Sequence, residues 1–159
     1  MSNAVVLKSL WNDVKPLVWF GWAVAAIRFA LEFVAPQQAW YFGVYWLMPV
    51  ALIYYGVQKK LDHLSWPRLA LSMLIVGVLV WGLPNVIVYT TAQFQGWTHG
   101  RFTPQTQSAP IAATSAGKIQ AGLVVGALTA LGGSVWSIVW STLVIWLPSY
   151  VRRRKVATA

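Results

Sequence analysis

The fold class of this chain is indicated first by its residues Leu17–Val34, LVWFGWAVAAIRFALEFV. This stretch contains two charged residues, and an apolar run of this length is typical of a helix that crosses a membrane. Three further apolar stretches follow, at about 40–57, 69–91 and 119–147. We therefore predict an all-α integral membrane protein whose single domain, residues 1–159, is a bundle of four transmembrane helices.

The composition favours a membrane protein over a soluble domain. Of the 159 residues, 58% are hydrophobic and 9% are charged, whereas soluble domains carry about 25% charged residues. So few charges cannot cover a surface that faces water. The chain has no cysteine, which excludes disulfides and thiolate chemistry.

Basic residues outside the four stretches predict the orientation. Nine lie at one end of the bundle, and two, Arg101 and Lys118, lie at the other. The positive-inside rule places the richer end, with both termini, in the cytoplasm. We expect a multi-pass protein of a bacterial cytoplasmic membrane that contacts anionic lipid headgroups. The nine are Lys8, Lys15, Lys59, Lys60, Arg68, Arg152, Arg153, Arg154 and Lys155.

The basic run at 152–155, RRRK, directly follows the fourth apolar stretch. At that position we interpret it as a stop-transfer flank. We therefore expect no nucleic-acid partner.

The first span carries two charges, Arg28 and Glu32. They lie four residues apart, so on a helix they share a face and can pair. Pairing matters because a lone charge near the bilayer centre costs at least about 3 kcal/mol. At 1.5 Å per residue, they lie about 17 and 23 Å into the span, which places Glu32 in the outer half.

Other polar residues reach the same depth. The third span contains Asn85 and Tyr89 next to Pro84, and the outer loop, 92–118, adds side chains above them. The first part of the loop, QFQGWTHGRF, could fold back on the bundle, whereas PQTQSAPIAATSAGK predicts an extended strap. We predict an outer-half polar cluster of Arg28, Glu32, Asn85 and Tyr89, roofed by Trp97, His99 and Arg101.

Three interpretations of this cluster remain open. It could be a self-satisfied ion pair that locks the first span to its neighbours. It could be a pocket for an anionic headgroup, a quinone-like head or a proton, since ionisable groups inside membranes are often functional. It could also contact another membrane subunit.

The fourth span carries a stripe of small residues that predicts close helix packing. Successive members are three or four residues apart, so one face of the helix stays small along its length. Its partner could be another helix of this chain or another protein, and Trp136 and Trp140 extend an aromatic patch on the same helix. The stripe consists of Gly122, Gly126, Ala130, Gly133, Ser137 and Ser141.

The sequence offers little for catalysis or cofactor ligation. The two histidines, His63 and His99, lie outside the spans, which argues against a bis-histidine haem. The carboxylates number three, too few and too scattered for a metal site. Glu32 and His99 could form an acid/base couple, but we expect no catalytic function.

The leading functional hypothesis is a small accessory or assembly subunit of a larger membrane complex, or a homo-oligomer, that acts through helix association. The alternative is a small transporter or a lipid- or quinone-binding protein that uses the cluster around Arg28 and Glu32.

Overall fold

The computed structural model describes residues 3–98, 100–102 and 111–157, and in these ranges every regular element is helical. Four helices are long and apolar enough to span a membrane, which confirms the predicted helical class and the number of long apolar helices. They are Lys8–Val34, Pro36–Val57, Trp66–Gln95 and Ser115–Lys155, called here the first to fourth long helices.

The first long helix is part of α1, Asn3–Val34. It begins well before the predicted Leu17 and continues through Pro16, although a proline inside a helix removes a backbone hydrogen bond and crowds a carbonyl. Leu10 and Val14 lie one turn apart ahead of that proline and are 2% and 0% exposed. Because both side chains are packed in the core, their burial stabilises the part of the helix that precedes Pro16.

The second long helix is interrupted. It consists of α2 (Pro36–Ala39), a 3-10 turn (Trp40–Phe42) and α3 (Val44–Val57). Gly43 separates the turn from α3 with an extended backbone, φ −80° and ψ 128°. The regular helix therefore starts four residues later than the predicted Trp40. The break matters for the site because the Arg28 guanidinium lies against Gly43, where an added Cβ would be 3.3 Å from Nη1.

The third long helix widens in its middle. It consists of α4 (Trp66–Val76), a π-helical segment (Gly77–Gly82) and α5 (Leu83–Gln95). Pro84 explains the widening, because it has no N–H to donate and its ring crowds the carbonyl four residues earlier.

Side chains take up carbonyls that the π segment leaves free. The Trp22 indole Nε1 donates to the Leu79 carbonyl at 3.0 Å, which ties the first long helix to the third. The Trp81 carbonyl accepts from Asn85 Nδ2 at 2.8 Å and from the Thr129 hydroxyl at 3.2 Å. These bonds stabilise a distortion that would otherwise leave backbone acceptors unpaired in an apolar interior.

The fourth long helix repeats this arrangement. It consists of α6 (Ser115–Ser141), a π-helical segment (Thr142–Trp146) and α7 (Leu147–Ala157). Pro148 stands after this π segment as Pro84 does after the first, each preceded by leucine. α7 carries the helix through the basic run at 152–155, beyond the predicted end at residue 147.

Small residues bring the third and fourth long helices into contact. A Cβ added to Gly126 would lie 2.1 Å from Val86, and one added to Gly122 would lie 1.9 Å from the Thr90 hydroxyl oxygen. Ser137 and Ser141 are 0% and 1% exposed. The predicted stripe is therefore buried against a helix of the same chain, the first of its two interpretations. Gly122, Gly126, Ala130, Gly133, Ser137 and Ser141 are accordingly not free to form a surface for another protein.

The hydrophobic core fills the half of the bundle that carries most of the basic residues, called here the basic end. Its side chains come from all four long helices and from the turn after α3. The opposite half, the Arg101 end, holds the polar residues described next. The largest fully buried core side chains at the basic end include Leu10, Leu17, Met48, Leu52, Leu61, Leu69 and Met73.

Candidate functional site

Glu32 lies between two arginines at the Arg101 end. Its Oε1 is 3.3 Å from Arg28 Nε on the same helix and 3.1 Å from Arg101 Nε of the loop after α5. The Glu32 side chain is 3% exposed, and the two arginine side chains are 24% and 22% exposed. One buried carboxylate thus contacts two guanidinium groups. Among the described residues, its second oxygen, Oε2, has no hydrogen-bond donor.

The third long helix adds an amide and a phenol. Arg101 Nη1 donates to Asn85 Oδ1 at 3.4 Å, while the Asn85 amide nitrogen bonds the Trp81 carbonyl. The Arg101 guanidinium carbon lies 5.6 Å from the centre of the Tyr89 ring, a cation–π distance. Arg101 is therefore held by a carboxylate, an amide and an aromatic ring from two helices.

A layer of aromatic rings covers the site. Trp97 packs at 5.8 Å from the ring centre of Phe29 and at 5.1 Å from that of Phe33. Phe102, which is 0% exposed, packs against Trp97 and Tyr89. This layer covers part of the cluster, and partial removal from solvent strengthens ion pairs.

The loop reaches the site through two glycines in the left-handed region. Gly96 ends α5 with φ 65°, and Gly100 has φ 57° and lies over the Glu32 side chain. Other residues rarely adopt this backbone conformation. A 3-10 turn, Gly100–Phe102, then directs Arg101 inward. Further along, Gln93 Oε1 accepts from the Ala112 amide at 2.9 Å, which fastens the loop before α6 begins.

The structure brings together most of the predicted cluster, but the residues predicted as its roof have different roles. Arg28, Glu32, Asn85 and Tyr89 meet as predicted from depth. Arg101 is an ionic member of the cluster and not part of its roof. Trp97 contacts aromatic rings and belongs to the cover, and His99 lies outside the described residues.

Burial of Arg101 lowers the pKa of its guanidinium below the usual value, and the nearby Glu32 carboxylate opposes that shift. An arginine nevertheless stays protonated in proteins. Two guanidinium groups against one carboxylate leave the cluster with one excess positive charge, which favours an anion or an oxygen acceptor nearby.

A cavity of about 190 Å³ opens beside the two arginines. Arg28, Arg101 and Asn85 supply its polar wall, and Tyr45 and Trp81 are among its other lining residues. Among the described residues, no three His, Asp or Glu side chains gather here or elsewhere as a metal site would need.

An apolar groove of about 260 Å³ adjoins the cavity on the outside of the bundle. The two share Ala25, Pro84 and Val88 as walls, and Trp22 and Phe29 line the groove. A polar cavity and an apolar groove thus share walls, and such neighbouring surfaces suit the polar head and the apolar tail of an amphiphile.

No family model, no curated protein and no solved structure matches this chain. The geometry of the cluster and the cavity is therefore the basis for the function proposed below.

Several residues of the site were not predicted from the sequence. Phe102 completes the aromatic layer. It could have been suspected because it directly follows Arg101 in a loop segment that also contains aromatic residues. Phe29 and Phe33 could have been suspected because they lie four residues apart, and so on one helix face, close to Glu32 in the sequence. Nothing in the sequence pointed to the Trp81 carbonyl, because it can accept hydrogen bonds from side chains only where the π segment distorts the helix.

Proposed function

We propose that this chain is an integral membrane protein that binds the head group of a membrane-dissolved amphiphile in the cavity beside Arg28 and Arg101. The observation that carries the proposal is that two guanidinium groups line one cavity and share a single carboxylate. Their excess positive charge and fixed donors suit a head group with anionic or strongly accepting oxygens, as in acidic lipids or quinones.

Membrane insertion with both termini in the cytoplasm is part of the proposal. It is supported by the distribution of basic residues and by the apolar outer face of the fourth long helix. Leu128, Leu131 and Val135 on that face are 60%, 64% and 62% exposed. Such a surface is costly in water and is matched by lipid chains.

The groove next to the cavity supports lateral entry of the ligand. A tail lying along Trp22 and Phe29 would remain in the hydrocarbon region while the head contacts the arginines. Glu32 does not line the cavity. Its role in this proposal is to hold both guanidinium groups in position.

A test of this proposal is Arg28→Gln, which keeps an uncharged polar side chain and removes one guanidinium. We expect binding of the head group to weaken by about tenfold, the usual effect of losing a hydrogen bond to a charged group. Tryptophan fluorescence would follow titration of the detergent-solubilised protein with a short-chain anionic phospholipid and, separately, with a quinone analogue. The two arms distinguish the two sources of accepting oxygens.

Lys118→Gln is the matched control for that experiment. It removes a cation from the same end of the bundle, where Lys118 lies over the Phe94 ring and outside the cavity. We expect its affinity to stay within about twofold of the unmodified protein. Equal affinity of both variants would contradict the pocket. An unchanged affinity of Arg28→Gln with a lower melting temperature would instead support the structural lock.

Membership in a larger membrane complex is a second candidate function. It is favoured by an exposed aromatic patch, in which Tyr45 stacks on Trp136 at 4.4 Å and Trp140 packs against Trp136. Trp40 and Trp46 extend it and are 62% and 52% exposed. Aromatic side chains are enriched at protein interfaces and also at membrane boundaries.

Native mass spectrometry of the protein, extracted from its own membranes in mild detergent, separates the two candidates. A stoichiometric set of other subunits, lost on Trp136→Ala, is the outcome expected for a complex member. A lone chain or homo-oligomer with a retained small molecule is the outcome expected for the binding protein.

A further inference from the structure

A second groove lies at the basic end, between the first and second long helices. Its volume is about 460 Å³. Leu17 and Phe20 of α1 form one wall, and Val50 and Ala51 of α3 form the other. The groove is open to the outside of the bundle, because Phe20 and Val50 are 38% and 60% exposed.

A lysine stands at the mouth of this groove. Lys60 follows α3, and its ammonium lies 5.1 Å from the ring centres of both Tyr54 and Tyr55. Cation–π contact with two rings restrains a side chain that is otherwise among the most flexible. The ammonium charge therefore has a defined position at the edge of this groove.

The carboxylates of the basic end are already engaged. Asp13 lies 3.3 Å from the His63 imidazole, and Asp62 pairs with Arg152. Within the described part of the chain, no carboxylate lies within salt-bridge distance of Lys60. Its positive charge is thus matched by rings but not by an anion of the protein.

We propose that this groove is a binding site for an anionic phospholipid of the leaflet at the basic end. The phosphate would contact the Lys60 ammonium, and an acyl chain would lie along Phe20 and Val50. From Tyr54 to Val50 the wall runs one helical turn towards the bundle centre, which is the direction that a lipid chain takes from its head group. The proposal uses the membrane topology proposed above but is independent of the Arg28 cavity.

Lys60→Gln tests the site, with Lys59→Gln as its matched control. Both remove one charge from the same turn, but Lys59 does not line the groove. The protein would be placed in nanodiscs of phosphatidylcholine with a minor fraction of phosphatidylglycerol, and retained lipids would be counted by native mass spectrometry. We expect Lys60→Gln to lower phosphatidylglycerol retention at least about fivefold, and Lys59→Gln to change it less than about twofold. Equal losses in both variants would mean diffuse surface attraction and would overturn the site, as would full retention by Lys60→Gln.

Two further variants separate this site from the cavity at the other end. Ala51→Phe fills the groove without changing charge and is expected to lower retention as Lys60→Gln does. The second is Lys60→Gln in an Arg28→Gln background, where lipid binding in the cavity is already weakened; it is expected to lower phosphatidylglycerol retention at least about fivefold there too. If Lys60→Gln caused no further loss in that background, the lipid would belong to the cavity and the groove would be overturned.

Discussion

Glu32→Gln is expected to lower the free energy of unfolding by about 3 kcal/mol, because it leaves two guanidinium groups without their shared carboxylate. This value is at the low end for a broken buried ion pair, because the side chains of Arg28 and Arg101 are 24% and 22% exposed. Equilibrium unfolding of the purified protein in mixed micelles with increasing SDS would measure it. The Glu32→Gln/Arg101→Gln double variant should recover part of the loss, since it removes one of the two unpaired cations.

Asp62→Asn is the matched control for this prediction. It breaks the other carboxylate–arginine pair that the structure describes, between Asp62 and Arg152, whose side chains are 22% and 44% exposed. Exposed pairs contribute less than about 1 kcal/mol. Equal and small losses for both variants would mean that the buried cluster does not stabilise the bundle.

Gly77→Ala is expected to lower the free energy of unfolding by a similar amount, about 3 kcal/mol. An added Cβ would lie 1.9 Å from the Ser134 hydroxyl oxygen and 2.6 Å from its Cα and N. A rotamer change can move the hydroxyl, but the backbone atoms can move only if the third and fourth long helices separate. We expect a lower melting temperature and a lower folded yield in detergent.

Gly132→Ala provides a control in the same helix pair. No atom lies within 4 Å of an added Cβ at Gly132. The substitution should therefore stabilise the helix by up to about 1 kcal/mol, the difference in helix propensity between the two residues. If Gly77→Ala and Gly132→Ala melt at the same temperature, the close approach at Gly77 would not be a constraint on the bundle.

The depth of residues along the helices was enough to predict part of the polar cluster. Arg28, Glu32 and Asn85 could be grouped because a helix rises 1.5 Å per residue and buried charges need partners. The place of Arg101 between Glu32 and Tyr89 could not be predicted, because it depends on two left-handed glycines and on the path of a loop. The cavity itself follows from how the helices rotate about their axes, which hydropathy does not determine.

The small-residue stripe shows a similar limit. The spacing of the small residues predicts a face of the fourth long helix that allows close packing, but it does not specify which helix packs there. Gly77 and Gly82 of the third long helix complete the contact from the other side, since a Cβ on Gly82 would be 2.8 Å from Ala130. Neither glycine belonged to the stripe, so the choice of partner became visible only in the packed bundle.

Four long apolar helices could be predicted from the sequence, because apolar length and the scarcity of charge are properties of the chain alone. A pair between Arg28 and Glu32 could be predicted as well, since four residues make about one helical turn. The sequence did not predict that Arg101 pairs with Glu32, that the stripe is buried within the chain, or that the cavity and the two grooves exist. Each of these depends on contacts between segments far apart in sequence, and such contacts are set by helix rotation, by the π segments before Pro84 and Pro148, and by the fold of the loop.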